Sequence, residues 1–292
     1  MEEQLINIIS QSISNPEDIG DDCAVVKLAG EDYLFCLDNF IENTHFSSEY
    51  FSPADIGWKS LAVNISDIAS MAGEPLFALV GLSLSEKISD KKTWVKEFYQ
   101  GMQDCADKFN CKIIGGDISS QKDFTSISVT AIGKTKKALL RKVEGKQDYE
   151  ICVTGKFGNS KSFLDSFANN KKIIEADRAY HLRPMPRVKE AQALSQGALI
   201  DSSDGLAASL WTLAQMNTAS IEIDSSLIPR DDHVSLDQVF YGGEDYELVG
   251  LFTKCPENFQ KIGVMTYKDN QVKVYDSALK QNVDKSKQYQ HF

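Results

Sequence analysis

Residues 197–205 read Gly-Ala-Leu-Ile-Asp-Ser-Ser-Asp-Gly. The apolar residues form a short buried strand, and the strand runs out onto two carboxylates, Asp201 and Asp204, beside a glycine. The arrangement recurs along the chain. Residues 33–37 (YLFCL) read as a strand ending at Asp38, and residues 111–114 (CKII) as a strand running into Gly115, Gly116 and Asp117. Two further acidic turns are Ile19-Gly20-Asp21-Asp22 and Gly242-Gly243-Glu244-Asp245. In open α/β architectures ligands bind beyond strand ends, and glycines let a ligand approach the backbone. Asp and Gly are also common turn residues, so any one of these turns has an ordinary explanation. Five together point to a shared cleft, because converging carboxylates repel strongly unless a cation joins them.

Around these turns strands and helices alternate. Residues 56–72 read as a helix, 76–84 as a strand, and 90–109 as a helix with Trp94, Phe98, Met102, Cys105 and Phe109 on one stripe. Residues 125–133 alternate as a half-buried strand. The charged segment 134–148 lies between two strand signals and sets the domain boundary, giving domains 1–137 and 138–292. The second half continues with strands at 149–155, 197–200, 219–224 and 246–252 and helices near 160–169 and 205–216. This is a mixed α+β and α/β pattern in two domains, the organisation suggested by 292 residues.

Helix 56–72 is apolar nearly all round and therefore expected to be buried. Yet Asn64 and Asp67 sit three apart on one face. A buried carboxylate is costly unless paired or metal-bound, so Asp67 either meets an unseen Lys or Arg or ligates a hard cation. Oxygen-rich, thiol-free ligand sets suit Mg²⁺, which completes its shell with water and substrate phosphates. Several Asp residues suggest several Mg²⁺ ions bridging a polyphosphate. That fits the charge: 31 Lys+Arg against 42 Asp+Glu leave a net charge of −11. Such a chain has no basic field for nucleic acid or anionic membranes, and binds an anionic nucleotide through metals.

The six cysteines form no C-x-x-C pair and read as reduced thiols of a cytoplasmic protein. The N-terminus has no basic n-region, and no apolar run is long enough to span a membrane. No G-x-G-x-x-G follows a strand. Residues 155–162 (GKFGNSKS) approach a P-loop, but Ser160 stands where glycine is required, so they read as an ordinary strand–turn–helix connection. No G-x-S-x-G elbow is present. His45 follows Asp38 by seven residues, within reach of the same cleft. Arg178, Arg183 and Arg187 surround His181 as a phosphate clamp or as a solvated or dimer-facing surface. Arg141 is the better phosphate ligand if the cleft lies between domains.

Taken in order, IGDDCAVV (19–26), Asp38 to His45-Phe46, NISDIASMAGEP (64–75), IIGGD (113–117), ALLR (138–141), VTGKFGNS (153–160), HLRPMPR (181–187), IDSSDGLAASL (200–210), GGEDYEL (242–248) and the terminal His291-Phe292 resemble the thiamine-monophosphate kinase family. That family shares a superfamily with aminoimidazole ribonucleotide synthetase and selenophosphate synthetase. The resemblance implies a two-domain aminoimidazole ribonucleotide synthetase-like fold and a homodimer whose N-terminal sheets pair in a barrel-like interface. It implies ATP-dependent phosphorylation of thiamine monophosphate to thiamine diphosphate. By carry-over, Asp22, Asp38, Asp67, Asp117, Asp201 and Asp204 would ligate Mg²⁺. Gly116, Asp117, Arg141, Ser203 and Tyr99 would bind ATP, and His45, Glu244 and Tyr289 the thiamine phosphate. Asp67, Asp204 and Arg141 would carry catalysis. Three positions depart from the pattern: Cys36-Leu37 stands for Ser-Thr before Asp38, Ile118 for Thr, and Gln288 for Gly. Alternatives are a sister ATPase of the superfamily, a non-catalytic nucleotide-binding dimer and an Mg²⁺-dependent phosphatase.

Overall fold

A computed structural model describes residues 2–14, 19–267 and 271–289; the expectation for His291-Phe292 lies outside them. The helices are α1 (Glu2–Ser12), α2 (Pro53–Ser70), α3 (Lys91–Phe109), α4 (Asn159–Ala168), α5 (Glu175–Leu182), α6 (Val188–Gln192), α7 (Leu206–Asn217) and α8 (Leu236–Tyr241). The strands of the first half are β1 (Ala24–Leu28), β2 (Glu31–Ile41), β3 (Glu74–Ser85), β4 (Lys112–Gln121) and β5 (Ser126–Thr135). Those of the second are β6 (Tyr149–Val153), β7 (Ala198–Asp201), β8 (Ser220–Ile223), β9 (Leu248–Phe252), β10 (Gln260–Thr266), β11 (Lys273–Asp276) and β12 (Gln281–Asn282).

The first sheet has the order β1-β2-β5-β3-β4, antiparallel except for the parallel β3–β4 pair. The second has the order β12-β11-β8-β10-β6-β9-β7, antiparallel except for β8–β11. This is the mixed α/β, two-sheet architecture expected. Strand β2 runs past Asp38 to Ile41, and β4 runs through Gly115-Gly116-Asp117 to Gln121. Asp38 and Asp117 are therefore strand-interior residues, not strand ends. The side-chain alternation of a strand turns Leu34, Cys36 and Phe40 into the core beside Asp38, while Leu37 faces outward.

The helix α2 explains its own composition. It packs on β2, β3 and β5 of one sheet and on β7, α5 and α6 of the other half, so all its faces are covered. Ser52 caps it, its hydroxyl accepting from Asp55 N–H at 3.2 Å, with Pro53 at the first helical position. Its crossing with α3 is close: a Cβ at Gly57 would lie 1.9 Å from the Phe98 carbonyl oxygen, and one at Gly101 1.8 Å from that of Ala54. Any side chain at either position forces the helices apart.

The connector 134–148 is more than a charged linker. Leu139 donates its N–H to the Met71 carbonyl at 3.3 Å and is buried, and the Asn217 side-chain amide donates to the Arg141 carbonyl at 3.0 Å. Cys152 and Cys255 form a disulfide, with Cα atoms 6.0 Å apart, correcting the expectation of six reduced thiols. The Cys255 N–H donates to Glu150 on β6 at 2.7 Å, drawing its loop against that strand. The other four cysteines are free and buried. Among the described residues no helix is long and apolar enough to cross a membrane.

Candidate active site

The carboxylates singled out from the sequence come together where α2 passes between the two halves. Asp22 precedes β1, Asp38 lies on β2, Asp67 on α2, and Asp201 ends β7. Carboxylate oxygens of Asp22, Asp67 and Asp201 all lie within 4.8 Å of one another. They border a cavity of about 560 Å³, which Asp38, His45, Arg141, Ser203, Asp204, Glu244 and Tyr289 also line.

Each acid is held by a neighbour. Ser70 Oγ donates to Asp22 Oδ2 at 2.7 Å, and Ser66 Oγ to Asp201 Oδ2 at 2.6 Å. Both serines are on α2, four apart, so one helix face orients two ligands from different halves. Arg141 donates to the Asp22 carboxylate, and its backbone N–H donates to Asp21 Oδ1 at 2.7 Å. Two acid-rich loops are laced together: Glu244 N–H donates to the Ser203 carbonyl at 2.6 Å and Tyr246 N–H to that of Ser202 at 3.0 Å. Glu244 takes a left-handed φ of 58° to make this contact, a conformation that costs energy outside glycine.

The electrostatics are unbalanced. Burial first, then the charges of Asp38, Cys36, Asp201 and Asp22, push Asp67 well above the usual carboxylate range. Burial and Asp22 likewise raise Asp38 and Asp201, although Asp38 gains a hydrogen bond from Asp67 and Asp201 one from Ser66. Arg141 is the one cation in direct contact with the cluster among the described residues. The set is oxygen-only, crowded and short of positive charge, which fits a hard divalent cation such as Mg²⁺. Asn64 does not line the cavity: its amide donates to the Ser60 carbonyl at 3.0 Å within α2, and Cys36 Sγ approaches its backbone oxygen at 3.3 Å.

Three expected site residues stay outside the cavity. Gly116 and Asp117 are exposed on edge strand β4, and Tyr99 packs on α3 against Phe98. The arginines of HLRPMPR are not a free phosphate clamp, because Arg183 pairs with Asp55 at 2.6 Å and Arg187 grips Glu247 through two nitrogens at 2.7 and 2.5 Å. His181 is buried rather than at the surface. The P-loop-like turn leads into α4 as expected, and a carboxylate occupies its amide: Gly158 N–H donates to Asp245 Oδ2 at 2.8 Å. Sequence reasoning passed over Ser66, Ser70 and Lys59. The signal for Lys59 was present, as the lone cation of an apolar helix.

Within this two-sheet architecture, residues 20–135 match the family described as "AIR synthase related protein, N-terminal domain". The chain is 38% identical over 250 residues to the thiamine-monophosphate kinase of Bacillus subtilis, covering 80% of this chain and 76% of that one. It is 31% identical over 278 residues to that of Aquifex aeolicus, covering 90% and 88%. A solved structure described as "AaThiL complexed with AMPPCP and TMP" superposes with a TM-score of 0.89 at 28% identity, covering 99% of this chain and 96% of that one. The chain belongs to the thiamine-monophosphate kinase family, ATP-binding kinases of thiamine biosynthesis.

Proposed function

We propose that this protein transfers the γ-phosphoryl group of ATP directly to thiamine monophosphate, giving thiamine diphosphate and ADP in the cytoplasm. The convergence of Asp22, Asp67 and Asp201 within 4.8 Å, with Arg141 at its edge, carries this reading. The acceptor is a phosphate oxygen, already anionic at neutral pH, so no strong general base is needed. The obstacle is bringing two anions together in line. Asp22, Asp38, Asp67, Asp201 and Asp204 would hold Mg²⁺, which when bound neutralises phosphate charge and aligns the reacting oxygens. Arg141 and Ser203, lining the same cavity from the second domain beside Asp201 and Asp204, would meet the phosphates. His45 uses Nδ1 to accept the Ile41 N–H at 3.1 Å, so a neutral ring carries its proton on Nε2. His45, Glu244 and Tyr289 form the acceptor end. No side chain is phosphorylated in this scheme.

Residues 1–137 form the pairing domain and residues 138–292 the second. The outer face of the first sheet is apolar and open, with Leu37, Phe77, Leu79 and Ile114 exposed. A homodimer formed through this face gives Asp117, Gly116 and Tyr99 a route to a site that the single chain does not give them. Separation of thiamine phosphates after incubation with ATP, Mg²⁺ and thiamine monophosphate tests the reaction. Stoichiometric thiamine diphosphate and ADP are expected; ADP without thiamine diphosphate would mean a sister ATPase or phosphatase. Mixing inactive D117N and D204N chains tests the shared site, with partial recovery of activity expected.

A further inference from the structure

Beneath the acceptor end of the cavity lies a lysine that the reaction does not itself require. Lys59, on α2, has no solvent-exposed surface. Its ammonium donates to the His181 carbonyl oxygen at 2.7 Å and to Glu244 Oε2 at 3.0 Å, and sits 5.4 Å from the centroid of the Phe51 ring. His181 Nδ1 lies 3.3 Å from the same Glu244 oxygen and 2.8 Å from Ser160 Oγ. Burial, and then Lys59, hold His181 well below its ordinary pKa, so the ring is neutral. Burial also lowers Lys59, while the charge and hydrogen bond of Glu244 oppose that fall. One buried cation, a neutral imidazole and the strained backbone of Glu244 thus converge on a single carboxylate oxygen, and Glu244 lines the cavity.

We propose that Lys59 is a positioning residue for acceptor specificity: it engages Oε2 of Glu244 from below and leaves Oε1 as a fixed hydrogen-bond acceptor for the amino-bearing heterocycle of the phosphate acceptor. The chemistry favours this use. A bare carboxylate beside two phosphorylated ligands would repel both. A carboxylate neutralised from its buried side still accepts a hydrogen bond but carries little net field into the cleft. An aminopyrimidine ring supplies the matching donor, and an acceptor lacking one leaves Oε1 unpaired, the stronger form of discrimination.

This inference rests on the thiamine-monophosphate kinase reading, and steady-state kinetics separate the two. Wild-type protein that makes no thiamine diphosphate defeats the function itself. With an active wild type, K59M is expected to raise KM for thiamine monophosphate about 10- to 100-fold, the worth of a hydrogen bond to a charged group, with KM for ATP changed less than about twofold. E244Q should do the same. The double variant K59M/E244Q should be no worse than E244Q, because Lys59 acts only through Glu244. Additive losses, or equal effects on both substrates, would overturn the proposal. If K59M does not fold, K59Q, which keeps a donor without the charge, carries the same cycle; loss of fold in both would make Lys59 structural and overturn it too.

Discussion

Two groups of buried carboxylates meet opposite fates in this molecule. Glu247 is almost fully buried and almost fully answered: Arg187 donates twice, Thr154 Oγ1 donates at 2.6 Å, and the Tyr180 hydroxyl donates at 2.7 Å. Asp201 is equally buried, yet Ser66 is the single donor to its carboxylate among the described hydrogen bonds, and Asp22 and Asp67 crowd it. A buried carboxylate saturated by the protein holds domains together. One left short of donors and pressed against its like is completed from outside, and a divalent cation with its phosphates is the complement that charge and ligand chemistry select.

The largest effect should come from uncharging the proposed metal ligands. D67N and D204N should each lower turnover at least about 10³-fold, since metal-assisted charge stabilisation is worth several kcal/mol. Circular dichroism should show an unchanged fold. In the absence of Mg²⁺, D67N should melt no lower than wild type, because burial and like charges keep Asp67 protonated there and an amide still donates to Asp38. Near-normal kinetics in both variants would refute the ligand assignment. The answered group should behave in the opposite way. R187M leaves Glu247 buried without its cation and should cost about 3 kcal/mol or more in urea unfolding. Replacing both partners, R187M/E247Q, should recover much of that loss. If R187M unfolds like wild type, the two groups are not distinguished by pairing.

Much of this contrast was legible before any coordinates. The acidic turns pointed to one cleft for Asp22, Asp38, Asp201 and Asp204, but equally for Asp117, which lies outside it. Helix 56–72 left Asp67 between a salt bridge and a cation, and the family resemblance supplied the ligand set. The partners were not legible. Arg187 and Glu247 are 60 residues apart, and nothing local says that one answers the other. The continuation of β2 and β4 through Asp38 and Asp117 was missed because glycine and aspartate read as turns, whereas strand pairing with β5 and β3 overrides that preference. The residues of α5, α6 and α8 carry too few periodic positions to register as helices.

Protonation offers a subtler separation. Burial and like charges raise Asp38 from near 3.8 to about 6 and Asp201 to about 8. A carboxyl whose folded pKa exceeds its unfolded one favours folding at low pH, and that contribution is lost as pH rises through the folded value. Without divalent cations the melting temperature should therefore fall between about pH 4 and 8. The loss should amount to several kcal/mol, about 3 from Asp38 alone, or roughly 6 °C or more. Millimolar Mg²⁺ should offset the fall, so the rise in melting temperature caused by Mg²⁺ should grow with pH. A Mg²⁺ effect independent of pH would show that these carboxylates are not its ligands.

The smallest effect falls on a pair that resembles Arg187–Glu247 in sequence and differs in exposure. Arg183 donates to Asp55 at 2.6 Å and lies 5.6 Å from the centroid of the Trp58 ring, but its side chain keeps 40% of its surface in solvent. Water already solvates the guanidinium there, so the ion pair gains little that the unfolded chain lacks. Asp55 also accepts from the Ser52 hydroxyl at 2.6 Å and remains near the positive end of α2, so it is not stranded when Arg183 is lost. R183M should therefore cost less than about 1 kcal/mol, and half-molar salt should remove most of the difference from wild type. A loss as large as that of R187M would mean that desolvation is not what separates the two arginines, and donor saturation alone would have to explain why Glu247 is structural and Asp201 is not.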